Sequence, residues 1–350
     1  MFIRLFRMTC VTALLLIPAL LLGNRADAQS LDAIVAPGDK LQKITGNAVF
    51  TSVEALCWDA GYLLFADNDT DTPAKSRTLI MAPDGNVSVI RENNGVTTGI
   101  QKSGKGTYFC TEYEGRRIIE MDRTGKVLRV VADKCNGVPF AGPSDLVVDK
   151  KGGIYFTDAR HLESDPEGVV NKSVVFYISP AGTVAHASEN IFFPNGIALS
   201  PDGSTAYITN PFGEEMLQHV YSMTVQPNGT LKEPRRFAQV QLTLDMQAMI
   251  QFTKDFRGPC TPPKHFFATS GAEGCTVDAS GNLYVATTLG FGIQVFDPAG
   301  KHTGNIVLGA RALACTFGGN DLRTLYVGAA EGIYSVQTKI PGLKIAASLP

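Results

Sequence analysis

The sequence predicts an all-β fold, a six-bladed β-propeller, from its composition, from an internal repeat and from the turns within that repeat. Glycine accounts for 35 of the 350 residues and charged residues for only 18%, a composition that favours β-structure with many tight turns. Apolar residues make up 44%, which is enough for a sizeable core and excludes a disordered chain. The formal net charge of −2 excludes a strongly basic protein, so we expect no nucleic-acid partner.

The first 28 residues have the pattern of a secretory signal peptide. Arg4 and Arg7 give a basic start, residues 11–22 form an apolar run, and the stretch from Ala26 to Ala28 resembles a small-residue cleavage site. The apolar run is short for a membrane span, so the sequence predicts a cleavable leader rather than an anchor. We therefore expect a mature chain of residues 29–350 that is periplasmic or secreted and is not associated with a membrane.

One sequence motif recurs after this leader, and its copies define the blades. Each copy contains a short strand, a tight turn and an aromatic-rich second strand, and several copies add a second hairpin. The copies begin at Glu54, Thr98, Ser144, Asn195, Glu273 and Leu313. Two hairpins make a four-stranded sheet, and six such sheets arranged radially form a propeller.

Turn residues and the segment before the first copy complete this architecture. Asp149 to Gly152, Pro201 to Gly203 and Asp278 to Gly281 carry the Asp and Gly residues that tight hairpin turns require. Residues from about Leu41 to Phe50 precede the first copy. We expect them to add a strand to the last blade and so to close the ring.

The six residues that begin the copies are candidates for a common site. The innermost strands of a propeller start at one mouth of the central channel, so these residues should converge on its axis. They include two carboxylates, one amide and two hydroxyls, and oxygen ligands of this kind suit calcium. Polar strand ends that simply face water in the channel would give the same pattern. The residues alone leave both interpretations open.

Several of these phrases resemble a known family. The phrases around Glu54, Gly142 to Asp149, Pro194 to Ala198 and Cys315 to Gly319 are similar to those of the senescence-marker-protein/gluconolactonase/luciferin-regenerating-enzyme family. The likeness runs in the same order along the chain, from about residue 53 to residue 342. It implies a six-bladed propeller with one divalent ion, usually calcium, in the channel. It also implies hydrolysis of lactones, among them sugar lactones.

The resemblance implies roles for individual residues. Glu54, Asn195 and Glu273 correspond to the metal ligands, and Glu273 also corresponds to the proposed catalytic base. Three positions depart from the family pattern. Glu273 stands where the family has Asp, Ser144 where an Asn is usual, and Gly142 where some members carry a sugar-binding Arg.

Four further side chains are expected to contact the substrate. Thr98 and Ser144 belong to the ring of strand starts, whereas Glu112 and His161 come from loops expected to rim the channel mouth. Residues 241–270 exceed the length of the repeat and carry apolar side chains near helical spacing, which favours a lid over that mouth.

The cysteines give two expectations. Cys57, Cys110, Cys275 and Cys315 lie in strand-like apolar runs and are interpreted as small buried residues. Cys135 and Cys260 are expected in loops on the face of the lid, where an oxidising compartment would allow a disulfide between them.

The sequence therefore predicts an exported, metal-dependent hydrolase that acts on a small-molecule lactone or related ester and uses one divalent ion, preferably Ca²⁺. One alternative is a propeller without catalytic activity that binds a ligand or a protein around a structural metal ion. A narrower alternative is a hydrolase of organophosphates or aryl esters.

Overall fold

The computed structural model describes residues 31–158, 173–211, 218–241, 272–288 and 292–344. The predicted leader, His161, Cys260 and nearly all of the predicted lid (242–270) lie outside the described residues. Within the described ranges, no helix is long and apolar enough to cross a membrane.

The regular secondary structure of the described chain is almost entirely β-strand, with one 3₁₀ turn at Pro73–Lys75. The first strand is β1 (Gln42–Lys43), and blade one follows with β2 (Val53–Asp59), β3 (Tyr62–Asp67), β4 (Arg77–Met81) and β5 (Val87–Glu92). Blade two contains β6 (Thr97–Lys102), β7 (Tyr108–Glu112), β8 (Arg117–Met121) and β9 (Val127–Ala132). A small hairpin, β10 (Lys134–Cys135) and β11 (Val138–Pro139), leads to blade three.

Blades three to six repeat the same arrangement. Blade three contains β12 (Pro143–Val148), β13 (Ile154–Asp158), β14 (Val174–Ile178) and β15 (Val184–Ser188). Blade four contains β16 (Ile197–Leu199), β17 (Thr205–Asn210), β18 (His219–Val225) and β19 (Leu231–Gln239). Blade five contains β20 (Ala272–Val277), β21 (Leu283–Thr287), β22 (Gly292–Phe296) and β23 (His302–Val307). Blade six contains β24 (Ala312–Gly318), β25 (Thr324–Ala329) and β26 (Gly332–Gln337), with β1 as its outer strand.

The six blades close into a ring, which confirms the predicted propeller. Each inner strand contacts the inner strand of the next blade, and β24 of blade six contacts β2 of blade one. The ring is also closed by hydrogen bonds, because β1 pairs antiparallel with β26, with Gln42 opposite Ser335. The expected strand in the segment from Leu41 to Phe50 is therefore confirmed, although it is only two residues long.

The hydrophobic core is divided among the junctions between blades. Six apolar clusters are present in the described part of the chain, and each joins two neighbouring blades. Between blades one and six, the rings of Trp58 and Tyr326 stack with centroids 5.4 Å apart. Every residue of β7 is buried, because both faces of this strand pack against neighbouring sheets. The aromatic-rich second strand of each repeat thus supplies the packing that holds the blades together.

The predicted hairpin turns form through side-chain hydrogen bonds to the backbone. In the turn that joins β12 to β13, Asp149 Oδ1 accepts from the amides of Lys151 and Gly153, each at 2.8 Å. Gly152 adopts a φ of +88°, a conformation that other residues rarely adopt. Asp278 forms the equivalent turn in blade five.

A second group of glycines lies where neighbouring inner strands touch. Gly99, Gly196 and Gly274 each follow a residue that begins a repeat. A Cβ atom on Gly196 would overlap the carbonyl oxygen of Glu273, and one on Gly274 would lie 3.2 Å from the Cα of Ala314. These glycines therefore allow backbones of adjacent blades to approach at the channel mouth.

Replacing Gly196 by Ala should reduce the free energy of unfolding by about 3 kcal/mol, because the added methyl group overlaps the backbone of the next blade. Gly182→Ala is the matched control, since Gly182 has a φ of +85° and open space around its Cβ position. We expect only the conformational cost of about 1 kcal/mol there. Urea denaturation measures both changes, and equal losses would contradict close backbone packing at Gly196.

Candidate active site

A cavity of about 340 Å³ opens at one mouth of the channel. All six residues that begin the repeats line it: Glu54, Thr98, Ser144, Asn195, Glu273 and Leu313. The convergence predicted from the topology of the propeller is therefore confirmed.

The inner strands present these residues through shifts in their pairing register. The shift in β2 lies between Glu54 and Cys57, and the one in β20 lies between Ala272 and Cys275. Strands β6, β12 and β24 have comparable shifts at the same end. A β-bulge bends a strand and changes the direction of its side chains. Five of the six inner strands therefore have a register shift at the end where their first residues line the cavity.

Glu54 is held in place by two neighbouring polar side chains. Its Oε1 accepts a hydrogen bond from Ser52 Oγ at 3.0 Å, and its Oε2 accepts one from Asn68 Nδ2 at 3.3 Å. The same Asn68 amide donates to the carbonyl oxygen of Thr97 at 2.8 Å. Asn68 therefore fixes Glu54 of blade one relative to the start of β6 in blade two. Burial raises the pKa of Glu54 despite these hydrogen bonds.

Glu273 belongs to a short chain of hydrogen bonds that crosses three blades. Asn195 Nδ2 donates to Glu273 Oε2 at 2.6 Å, and Ser144 Oγ donates to Asn195 Oδ1 at 3.0 Å. Burial raises the pKa of Glu273 to about 7, and the negative charge of Glu54 adds to the increase. The two carboxylates are thus close enough to repel one another.

The positive charge of Arg311 compensates this repulsion only in part. It lowers the pKa of both Glu54 and Glu273, but burial is the larger influence and both values remain raised. Arg311 lies two residues before Leu313, which occupies the ring position between the two glutamates because blade six separates blades five and one. The site therefore holds two carboxylates whose charges are incompletely balanced.

This set of side chains fits a hard divalent cation. Glu54 and Glu273 offer carboxylate oxygens, Asn195 offers an amide oxygen, and all three line one cavity. A cation there would relieve the unfavourable burial of two negative charges. Within the described residues, no group of three or more His, Cys, Asp or Glu side chains is positioned to bind a metal ion. The candidate set contains only two side chains of those types, and further ligands would be water or substrate.

The predicted substrate contacts have different outcomes. Thr98 and Ser144 line the cavity, whereas His161 lies outside the described residues. The prediction for Glu112 is wrong. Its side chain is completely buried and forms ion pairs with Arg91 and Arg117, each with an N–O distance of 2.6 Å. Glu112 ends β7, and its carboxylate is directed into the protein, where the two guanidinium groups pair with it.

The predictions for the cysteines also have different outcomes. Cys57, Cys110, Cys275 and Cys315 are free and buried, as expected from their apolar surroundings. Cys135 is also a free, buried thiol, and it lies 3.6 Å from the carbonyl oxygen of Val184 in the outer strand of blade three. Its predicted disulfide partner, Cys260, lies outside the described residues.

Sequence reasoning missed the role of Asp145, which lines the cavity. Asp145 accepts hydrogen bonds from the amides of Leu146 at 2.8 Å and Ile197 at 3.1 Å, and burial raises its pKa to about 7. Its position directly after Ser144, in a repeated phrase, was the available signal. Tyr113 follows the second strand of blade two and also lines the cavity. The sequence predicts a position for Tyr113 at the rim of the channel mouth, and the structure places it there.

The family model and the relative that match this chain carry related names. A family model described as "SMP-30/Gluconolactonase/LRE-like region" matches residues 53–331. A gluconolactonase from Zymomonas mobilis is 25% identical over 330 residues, which cover 89% of this chain and 85% of the relative.

Two solved structures share the fold. A gluconolactonase from Xanthomonas campestris superposes with a TM-score of 0.69 at 24% identity, covering 88% of this chain and 92% of the other. A calcium-binding protein, regucalcin, from Agrobacterium tumefaciens superposes with a TM-score of 0.64 at 14% identity, covering 88% and 97%. At these identities the likeness establishes the fold alone.

Glu112→Gln tests the structural role assigned to this carboxylate. Loss of its charge leaves Arg91 largely buried without a counter-charge, so the free energy of unfolding should fall by about 3 kcal/mol. Glu92→Gln, an exposed change on β5, should alter it by no more than about 0.5 kcal/mol. Urea denaturation measures both variants. Unchanged stability of Glu112→Gln would contradict the assignment.

Proposed function

The chain belongs to the SMP-30/gluconolactonase/LRE-like family, and we propose on that premise that it hydrolyses the ring ester of a lactone to the open hydroxy acid. The observation that carries the proposal is the convergence of Glu54, Asn195 and Glu273 on one cavity at the channel mouth. The relative named gluconolactonase, which aligns over most of both chains, supports the same reaction class.

We further propose that one divalent ion, preferably calcium, binds to Glu54, Asn195 and Glu273. The support comes from the oxygen donors, from the incompletely balanced carboxylates and from the regucalcin neighbour, which is described as calcium-binding. When bound, such an ion supplies a Lewis acid that polarises an ester carbonyl.

The chain's own side chains then have separate tasks. Asn195 orients Glu273 through the 2.6 Å hydrogen bond, and Ser144 fixes the Asn195 amide from the other side. Glu273 acts as general base and accepts a proton from the attacking water. The water oxygen bonds to the carbonyl carbon, the bond from that carbon to the ring oxygen breaks, and Glu273 returns the proton to the departing oxygen. The product is a hydroxy acid.

The pattern of the first 28 residues supports export, and we propose that the mature protein works in the periplasm or outside the cell. A low-molecular-weight lactone able to reach that compartment is then the substrate. Chelation of divalent ions, with activity and melting temperature both recorded, distinguishes this proposal from the alternative of a non-catalytic propeller with a structural ion.

Removal of divalent ions should abolish lactone hydrolysis, and added calcium should restore it, because the ion balances the carboxylates and polarises the ester. The measurement is hydrolysis of several lactones and aryl esters before and after chelation, with the melting temperature recorded in parallel. Activity that survives complete chelation would contradict metal dependence. If no substrate is hydrolysed and calcium only raises the melting temperature, the protein is a binding propeller.

Glu273→Gln should lower kcat by about 100-fold or more even at saturating calcium, because the amide cannot accept the proton from water. Glu54→Gln is the matched control, since it removes a carboxylate that binds the ion without taking part in proton transfer. We expect high calcium to restore much of the activity of Glu54→Gln. Calorimetric titration establishes ion occupancy in each variant, and full activity of ion-loaded Glu273→Gln would eliminate it as the base.

A further inference from the structure

The cavity has two chemically different sides. Glu273, Leu313 and Glu54 lie side by side on blades five, six and one. Across the channel, the rim on blades two and four carries Val96, Tyr113, Phe193 and Pro211, which are apolar or aromatic, together with the carboxylate residue Glu114 beside Tyr113.

The backbone holds this opposite rim in place. Tyr113 directly follows β7, and its amide donates to the carbonyl oxygen of Val96 at 2.9 Å. On blade four, the amide of Phe193 donates to Asn210 Oδ1 at 2.9 Å, and Pro211 follows Asn210 directly. The apolar side chains are therefore presented by anchored segments on both blades.

The Tyr113 ring fills the space beside Gly142. A Cβ atom on Gly142 would lie only 2.7 Å from Cε2 of Tyr113, so no side chain fits there unless the ring moves. The Gly142 backbone cannot easily retreat, because its amide and that of Ala141 donate to the buried Asp158 carboxylate at 2.6 and 2.8 Å. The Tyr113 ring thus occupies the space that a side chain at position 142 would need, and Tyr113 itself lines the cavity.

The hydroxyls of Thr98 and Ser144 donate their protons to other groups of the protein. Thr98 Oγ1 donates to the carbonyl oxygen of Pro143 at 3.1 Å, and Ser144 Oγ donates to Asn195 Oδ1 at 3.0 Å. Ligand hydroxyl groups that face the Phe193 ring or the ring face of Tyr113 would lose their hydrogen bonds to water without replacement, which is costly in a confined site. An apolar group would instead remove the surfaces of both aromatic residues from water.

We propose that the substrate is a lactone with an apolar substituent rather than a polyhydroxylated sugar lactone. Its ring ester faces Glu54, Asn195 and Glu273, and its substituent lies against Tyr113 and Phe193. This inference rests on the proposed hydrolase function and specifies the substrate class of the same site.

The test compares δ-nonalactone, which carries a butyl group, with unsubstituted δ-valerolactone and with δ-gluconolactone. We expect kcat/KM for δ-nonalactone to exceed both others by about 10-fold or more, since burial of the butyl chain favours its transition state. Tyr113→Ala and Phe193→Ala should remove most of this advantage, so that kcat/KM for δ-nonalactone falls towards that for δ-valerolactone in the same variant. Phe192→Ala is the matched control, because this neighbouring side chain is 71% exposed and does not line the cavity.

A binding measurement keeps this inference separate from the hydrolase proposal. The lactam analogues, 6-butylpiperidin-2-one and δ-gluconolactam, resist ring opening and can be titrated by calorimetry. Tighter binding of the butyl lactam by about 10-fold, lost in Tyr113→Ala, supports the apolar site even if no lactone is hydrolysed. Equal or tighter binding of δ-gluconolactam would overturn it, as would faster turnover of δ-gluconolactone than of δ-nonalactone.

Discussion

The close approach of the six inner strands at one channel mouth is the constraint on which the fold and the site depend. Their backbones meet with almost no intervening side chain, as at Gly196, where a methyl group would overlap the Glu273 carbonyl. This contact brings Asn195, the residue before Gly196, within 2.6 Å of the Glu273 side chain. Shifts of register at the same ends of five inner strands accompany the arrangement. Packing between blades thereby creates the geometry of the site.

The same closeness determines the electrostatics of the cavity. Glu54 and Glu273 have raised pKa values because both are buried, and the charge of Glu54 raises that of Glu273 further. Arg311 offsets only part of this effect. Glu112 shows a contrasting arrangement, because its completely buried carboxylate forms ion pairs with two arginines. A carboxylate with such partners stabilises a blade, whereas incompletely balanced carboxylates at the channel axis favour a cation.

The proposed reaction and the proposed specificity belong to different parts of the propeller. Inner strands supply the polar residues that converge on the axis, and these strands are constrained by contacts with both neighbours. Segments that join the strands supply Tyr113 and Phe193 at the rim, where a substituent would lie. Loops tolerate change better than the strands that they connect. Under the proposed function, one ring of polar residues serves lactones with different substituents, and family membership leaves the substrate open.

The sequence by itself determined the architecture, because its signals are local and repeat six times along the chain. An Asp that binds the turn backbone, as Asp149 does, and a Gly with positive φ act within a few residues, and their spacing predicted the blades and the residues at the channel axis. Only the tertiary structure decided which polar residues serve the site. Glu112 was expected at the cavity but is paired with Arg91, 21 residues away in sequence, and Tyr113 meets Gly142 from a different blade. Such contacts depend on packing between sheets, which no spacing within one repeat specifies.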